Sequence, residues 1–182
     1  TAEAVAIPMK SIVLACSAFA FIALAFIYRG VFSSLPETGG ATDVFAVPLI
    51  DRNGAPVRLD AFAGTPLVVN LWASWCPFCK EELPAFALVA HEFGDSVTIL
   101  AVNRREPRAA AERYLNSVPE IGVLTFLFDP GDELYRLIGG FSMPETVFID
   151  RAGRIVFQRR GPMDASEIAS RIEALLASDA YE

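Results

Sequence analysis

The sequence predicts an α/β domain with a mixed β-sheet and helices on both faces of that sheet. From residue 43 onward, short apolar runs typical of buried strands alternate with longer runs typical of helices. Turn signals at residues 51–54 and 150–153 each join two strand-like runs into a hairpin. No internal repeat is present, and the 182 residues suit one such domain plus an appendage.

The predicted strands, in chain order, are residues 44–50, 56–59, 66–72, 97–102, 124–128, 146–149 and 154–158. The predicted helices are residues 77–93, 106–116, 132–138 and 165–177. The first two strands are joined through Asn53-Gly54, a strong signal for a tight hairpin turn. The third strand is expected to be buried, because it is short and rich in Val and Leu.

The later elements follow from similar patterns. Pro77 favours the start of a helix, since the N–H that proline lacks would be unpaired at the first helical position. Residues 97–102 form a continuous apolar run, which predicts a fully buried strand. The last helix is amphipathic, with Ile168, Ile172 and Leu175 on one face. Strands alternating with helices and followed by a hairpin predict the mixed sheet.

Charge and composition exclude one class of partner. The formal net charge is −7, from 15 basic and 22 acidic residues. No basic run or stripe of alternating basic and aromatic residues is present, so we expect no nucleic-acid partner. The acidic residues are spread along the chain and indicate general solubility.

An apolar segment near the N-terminus predicts a membrane anchor. Residues 11–28 carry no charge, and as a helix they would span about 27 Å, close to the thickness of a bilayer core. We expect a transmembrane anchor at 11–28, after a flank at 1–10 and before a linker at 29–42, with the globular domain at 43–182. A cleaved signal peptide is the alternative, but no convincing cleavage site follows the run.

The predicted linker contains Leu35-Pro36-Glu37-Thr38-Gly39, which matches the L-P-x-T-G pattern that sortases recognise. A cell-wall sorting signal should precede a C-terminal apolar tail, and here the apolar run comes first. We therefore interpret this stretch as part of an extracytoplasmic linker, rich in Ser, Pro, Thr and Gly, or as an engineered ligation junction.

The pentapeptide Trp75-Cys76-Pro77-Phe78-Cys79 predicts thiol–disulfide exchange. Cys76 falls at the N-cap of the predicted helix, where free N–H groups and the helix dipole favour a thiolate, the species that attacks disulfides. Cys79 lies one turn deeper and is expected to resolve the mixed disulfide. Trp72 and Trp75 are expected to pack under the active-site helix, with Trp75 partly exposed where substrate binds.

A metal site is the main alternative for the two thiols. Structural zinc needs about four ligands, and the chain offers only Cys16, Cys76, Cys79 and His91, with Cys16 in a distant apolar run. A purely structural disulfide would close a very short loop and remove little entropy from the unfolded chain. We therefore predict no metal and no cofactor beyond a redox-active Cys76–Cys79 disulfide.

Two longer motifs resemble a known family. Residues 69–84, V-N-L-W-A-S-W-C-P-F-C-K-E-E-L-P, and residues 140–150, G-F-S-M-P-E-T-V-F-I-D, are similar to the TlpA/ResA/CcmG (DsbE) family of membrane-anchored, thioredoxin-like proteins. The order of elements over residues 65–177 resembles a thioredoxin fold. The leading hairpin and a central strand–helix insertion at residues 124–138 also resemble this family.

The resemblance assigns expected roles to four further residues. It implies that Met143-Pro144 is a cis peptide facing the dithiol, and that the main chain beside it pairs with an incoming polypeptide. It implies that Glu82 assists proton transfer at the buried thiol. Glu145 follows the proline as in the CcmG branch, where it tunes the site or contacts the partner.

Asn70 is a departure from thioredoxin that supports the branch assignment. Thioredoxin has a buried aspartate at this position, whereas the resembled family shares the asparagine. Because an amide cannot take up a proton, the role of general base passes to Glu82, Glu145 or water.

These features predict a thiol–disulfide oxidoreductase anchored by a single span in the inner membrane, with its C-terminal domain in the periplasm. The resemblance implies a reductant of client disulfides, namely the haem-binding cysteines of apocytochrome c or the copper-site cysteines of an oxidase. It also implies an upstream membrane thiol reductant. The alternative is a thioredoxin-like accessory subunit docked on a larger membrane complex, with incidental redox chemistry.

Overall fold

The computed structural model describes residues 44–179. Its strands are β1 Pro48–Asp51, β2 Pro56–Arg58, β3 Leu67–Trp72, β4 Thr98–Arg104, β5 Thr125–Asp129, β6 Glu145–Ile149 and β7 Ile155–Arg160. Its α-helices are α1 Pro77–Phe93, α2 Arg108–Ser117, α3 Glu133–Leu137 and α4 Ala165–Asp179. Short 3₁₀ turns are Val44–Ala46, Leu59–Phe62, Gly94–Ser96 and Pro119–Val123.

The strands of this region form one mixed sheet in the order β2-β1-β5-β4-β3-β6-β7. β3 runs parallel to β4 and antiparallel to β6, and all of its residues are buried. β5, the strand of the predicted insertion, joins the leading hairpin to the rest of the sheet, because it pairs with β4 on one side and β1 on the other. The predicted fold class, the N-terminal hairpin and the central insertion are thus confirmed.

Two apolar clusters cover the two faces of the sheet. Alternating residues of β3 divide between them, with Val68 and Trp72 on one face and Leu67, Val69 and Leu71 on the other. Helices α1, α2 and α4 cover the first face, whereas α3 and the 3₁₀ turns Val44–Ala46 and Leu59–Phe62 cover the second. β3 is therefore buried from both sides, which explains its continuous apolar sequence.

The first predicted strand is shorter than expected. We predicted a strand over residues 44–50, but β1 begins at Pro48 and a 3₁₀ turn precedes it. Residues three apart lie on one side of such a turn, so Val44 and Val47 can both pack into the cluster that contains Leu59. Burial of both valines accounts for the turn where local propensity alone suggested a strand.

Residues 1–43 and 180–182 lie outside the described residues. The predicted flank at 1–10, anchor at 11–28 and linker at 29–42 therefore remain predictions. Over residues 44–179, none of the helices combines the length and the apolar character that a membrane span requires.

Candidate active site

The two cysteines of the C-x-x-C motif form a disulfide at the start of α1. Cys76 and Cys79 are joined with their Cα atoms 5.3 Å apart. Cys76 is the N-cap residue, Pro77 occupies the first helical turn, and the Cys79 N–H lies 3.1 Å from Cys76 Sγ. The predicted N-cap position is confirmed, so the sulfur of Cys76 accepts from a helix-terminal N–H, as a thiolate there would. In this oxidised state both cysteines are buried, Cys76 being only 3% exposed.

The loop that leads into Cys76 is held by Glu106, a residue that sequence reasoning did not single out. Ser74 donates to its carboxylate twice, from the main-chain N–H at 2.7 Å and from Oγ at 2.6 Å, and Asn103 Nδ2 donates to it as well. Glu106 follows β4, the parallel neighbour of β3, and the carboxyl ends of parallel strands meet at one sheet edge. The position of Glu106 just after a strand next to β3 was therefore the feature that could have pointed to this contact. Helix α2 was predicted to start at Glu106 but begins at Arg108, with Pro107 as its N-cap, because a residue that precedes proline is disfavoured in a helix.

Glu82 lies one turn beyond Cys79 on the buried side of α1. Both residues are buried, at 2% and 0% exposure respectively. The carboxylate accepts hydrogen bonds from Asn70 Nδ2 and, at 2.9 Å, from the Met163 N–H. Burial raises the pKa of Glu82 to about 7, because these two donors only partly replace the lost water. A carboxyl group with this pKa can take up and release a proton near neutral pH.

Asn70 links Glu82 to the neighbouring strand. Asn70 is paired with Thr146 across β3 and β6, and its Nδ2 also donates to Thr146 Oγ1 at 3.0 Å. Within the described region, Asn70 Oδ1 is buried and has no partner. Turning the amide by 180° would let Oδ1 accept the proton of neutral Glu82, since O and N of an amide differ little in shape. Because Asn70 cannot take up a proton, Glu82 is the member of this hydrogen-bonded pair that can titrate.

The Met143-Pro144 peptide is cis, as the family resemblance implied. Pro144 is buried and directly precedes β6, whose first residue, Glu145, pairs with Leu71 of β3. Continuing this register places Pro144 beside Trp72, at the end of the strand that leads to the disulfide. Met143 is half-buried and packs against both apolar clusters.

Glu145 is enclosed rather than presented to a partner. It is fully buried, and its Oε2 accepts from the main-chain N–H groups of Phe141 at 2.8 Å and Ser142 at 3.2 Å. Its Oε1 accepts from Gln158 Nε2 and, at 3.3 Å, from Arg160 Nε. Of the two roles predicted for Glu145, tuning the site and contacting the partner, this geometry favours the first, because the carboxylate holds the loop before Pro144.

Exposed aromatic side chains flank the disulfide in sequence. Trp75 is 57% exposed, Phe78 is 56% exposed, and Phe141 in the loop before Pro144 is 86% exposed. Only Trp72 of the two tryptophans is buried, with its ring centroid 5.6 Å from that of Tyr114. Trp75 is thus partly exposed, as predicted, and Trp72 packs in the apolar cluster that contains residues of α1, also as predicted. The predicted place of Trp75 in substrate binding stays a prediction.

Titratable side chains outside the dithiol do not gather into a metal centre in the described region. Residues 44–179 contain no group of three or more His, Cys, Asp or Glu side chains placed to hold an ion. His91 lies exposed on α1. The Cys76–Cys79 pair itself can exchange two electrons with another disulfide, with Glu82 one helical turn away as a proton acceptor.

A disulfide at the start of the helix that follows a central strand, with a cis-proline directly before the neighbouring strand, defines a thiol–disulfide oxidoreductase with a thioredoxin-like fold. Residues 33–176 match the family described as Redoxin. The chain belongs to this family.

Named relatives agree with this assignment. The chain is 30% identical over 133 residues to the thiol:disulfide interchange protein DsbE of Allochromatium vinosum, covering 73% of this chain and 72% of that protein. It is 28% identical over 144 residues to the thiol-disulfide oxidoreductase ResA of Bacillus subtilis, with coverages of 78% and 79%. Among solved structures, MTB DsbF is 26% identical with a TM-score of 0.67, covering 74% of this chain and 97% of DsbF. The resemblance to the DsbE and ResA proteins is thus confirmed.

Proposed function

We propose that this protein is a membrane-tethered, extracytoplasmic reductant of protein disulfides. Its clients would be apocytochrome c, whose haem-binding C-x-x-C-H cysteines must be reduced before haem attachment, or the copper-site cysteines of an oxidase. An upstream membrane thiol protein would restore the dithiol after each turnover. The proposed anchor is residues 11–28, and the catalytic domain would face the periplasm.

The observation that carries this proposal is Glu82, a buried acid with a pKa of about 7 one helical turn from the inner cysteine. Reduction of a client begins when the Cys76 thiolate attacks one client sulfur and the other leaves as a thiolate that takes up a proton. Cys79 must then lose its proton and attack Cys76 Sγ, which releases the second client sulfur. The client gains two electrons, and the Cys76–Cys79 dithiol becomes a disulfide.

Glu82 would serve the second step. Cys79 is buried, and burial in apolar surroundings disfavours a thiolate, so its attack needs a local proton acceptor. The ionised carboxylate of Glu82 can take that proton, and Asn70, which cannot titrate, holds the carboxylate in place. The names of the relatives, thiol:disulfide interchange protein and thiol-disulfide oxidoreductase, support the same chemistry.

Two measurements test the proposal together. The redox potential, obtained by equilibration with dithiothreitol or glutathione and read by tryptophan fluorescence, should lie well below the roughly −120 mV of a dedicated oxidant. The reduced protein should also reduce the disulfide of a C-x-x-C-H peptide. A redox potential near that of the oxidant, together with poor reduction of the peptide, would contradict the proposal that the protein is a reductant.

A complementation experiment distinguishes the proposed reductase from the alternative, an accessory subunit. A Cys76→Ser/Cys79→Ser variant has no dithiol, so cells that carry it at wild-type abundance should fail to mature client proteins. Full maturation with this variant would instead support an accessory subunit whose redox chemistry is incidental.

A further inference from the structure

The hydroxyl group of Tyr135 links the central insertion to the cis-proline loop. Tyr135 lies on α3, and its OH donates a 2.9 Å hydrogen bond to the main-chain carbonyl of Ser142. Ser142 directly precedes Met143 and the cis peptide to Pro144. A side chain contributed by β5–α3 therefore controls the main chain immediately beside the active-site proline.

Both main-chain polar groups of Ser142 are hydrogen-bonded. Its N–H donates to Glu145 Oε2 at 3.2 Å, and its carbonyl accepts from Tyr135. By contrast, the main-chain N–H and C=O of Met143 have no hydrogen-bond partner within the region that the structure describes. The groups before Met143 are satisfied internally, whereas those of Met143 itself remain available to pair with an added strand.

The ring of Tyr135 is itself held by two neighbours, Arg104 and Gly140. The guanidinium carbon of Arg104 lies 3.5 Å from the ring centroid, and Arg104 Nε donates to Asp132 Oδ1 at 2.6 Å in a buried ion pair. Gly140 also lies against the ring, since a Cβ there would be 2.5 Å from ring carbons of Tyr135. A side chain at position 140 would therefore force the ring of Tyr135 and the main chain of Gly140 apart, which would disturb the position of the hydroxyl.

The hydroxyl of Tyr135 stays a donor over the working range of pH. Burial raises the pKa of Tyr135 above its usual value of 10.0, with the neighbouring Arg104 acting in the opposite direction. The phenol is therefore neutral at physiological pH and donates its proton to the Ser142 carbonyl throughout.

We propose that Tyr135, with its ring set by Arg104 and Gly140, is a positioning residue for polypeptide clients. It fixes the Ser142 carbonyl so that the main chain of Met143 is presented, beside the disulfide, to an extended client segment. The inference rests on the proposed reduction of polypeptide disulfides. A small disulfide that makes no main-chain contacts would not depend on Tyr135.

Tyr135→Phe tests this role, because it removes the hydroxyl and keeps the ring. Single-turnover reduction is followed against the concentration of insulin and of an oxidised C-x-x-C-H peptide. Loss of one hydrogen bond should raise the half-saturating concentration of both polypeptides by about five- to tenfold, with little change in the maximal rate. The rate with hydroxyethyl disulfide and the redox potential of the dithiol should stay at wild-type values.

Two further variants provide a control and a second test. Tyr114→Phe is the matched control, since its hydroxyl donates at 3.3 Å to the Lys80 carbonyl, outside the cis-proline loop. It should leave the half-saturating concentrations unchanged. Gly140→Ala keeps the hydroxyl but disturbs its position, so it should weaken polypeptide binding as Tyr135→Phe does.

The outcomes separate this inference from the proposed function. The positioning role would be overturned if Tyr135→Phe slowed the reduction of hydroxyethyl disulfide as much as that of the polypeptides. It would also be overturned if the variant left the half-saturating concentrations unchanged. Either result would leave the proposed reductase activity in place. A wild type that reduces insulin but not the C-x-x-C-H peptide overturns the proposed client and leaves the inference to be decided on insulin. A wild type that reduces neither polypeptide overturns both.

Discussion

The side-chain amide of Asn70 on the central strand donates a hydrogen bond to the carboxylate of Glu82 on the active-site helix. The second oxygen of Glu82 accepts from the Met163 N–H, just before α4. One buried carboxyl thus joins a strand and two helix regions behind the disulfide. Because two donors only partly compensate a buried negative charge, this carboxyl titrates near neutral pH.

Replacement of each cysteine should give opposite trapping behaviour. Cys79→Ser should accumulate mixed disulfides between Cys76 and clients, because the resolving thiol is gone. Cys76→Ser should form none and should not reduce disulfides, since the sulfur at the N-cap is missing. Non-reducing gels read the adducts, and a Cys16→Ser background in every variant leaves only the active-site thiols. Adducts in Cys76→Ser alone would reverse the assignment of the nucleophile.

Glu82→Gln should slow the resolving step in a pH-dependent way. In the wild type, the rate at which Cys79 resolves a mixed disulfide should rise as pH increases through about 7, because ionised Glu82 accepts the thiol proton. The variant lacks this acceptor, so it should lose that rise and react at least about tenfold more slowly above neutral pH. Stopped-flow mixing at a series of pH values measures the rate.

Glu81→Gln is the matched control for this effect. Glu81 is the adjacent residue on α1 but is exposed, so the same change of charge occurs in solvent. Its pH profile should follow that of the wild type. Small and equal effects of the two substitutions would mean that Glu82 does not transfer protons.

Stability should fall with pH because of Glu82. Its pKa is raised on folding from 4.5 to about 7, so the folded protein retains a proton that the unfolded chain releases. The favourable contribution is full below about pH 4.5, declines as pH rises and is lost above about pH 7. The difference corresponds to about 3 kcal/mol of unfolding free energy.

Denaturant unfolding of the wild type and of Glu82→Gln over this pH range measures the effect. Subtracting the two curves removes contributions from other carboxyl groups, including Asp129, whose pKa burial also raises. The wild type should lose about 3 kcal/mol relative to the variant between about pH 4.5 and pH 8. Parallel curves would show that Glu82 is ionised throughout and that its pKa is close to normal.

The uncharged run at residues 11–28 should make the protein integral to the membrane. Carbonate washing should leave the protein in the membrane fraction. A reporter enzyme that works only outside the cytoplasm should be active when it is fused after Glu182. Recovery of a soluble protein whose N-terminus lies beyond Arg29 would instead identify a cleaved signal peptide.

Much of the site could be predicted from local sequence. The strand before the motif was evident from its apolar residues, and Pro77 marked the helix start that makes Cys76 an N-cap. The cis peptide before Pro144 was implied only by the family resemblance. Spacing alone placed Glu82 one turn beyond Cys79. These features depend on residues close together in the chain, where helix and strand periodicity determine which side chains share a face.

Other parts of the site depend on residues that only folding brings together. Glu106 reaches Ser74 across 32 positions, and Met163 meets Glu82 across 81. The pKa of Glu82 follows from burial, which is a property of the packed domain and not of a helix. Sequence alone therefore determined the dithiol, its helix and the order of elements. The tertiary structure decided which groups hold the loops around the disulfide and which acid titrates, because those contacts join elements that no short-range pattern relates.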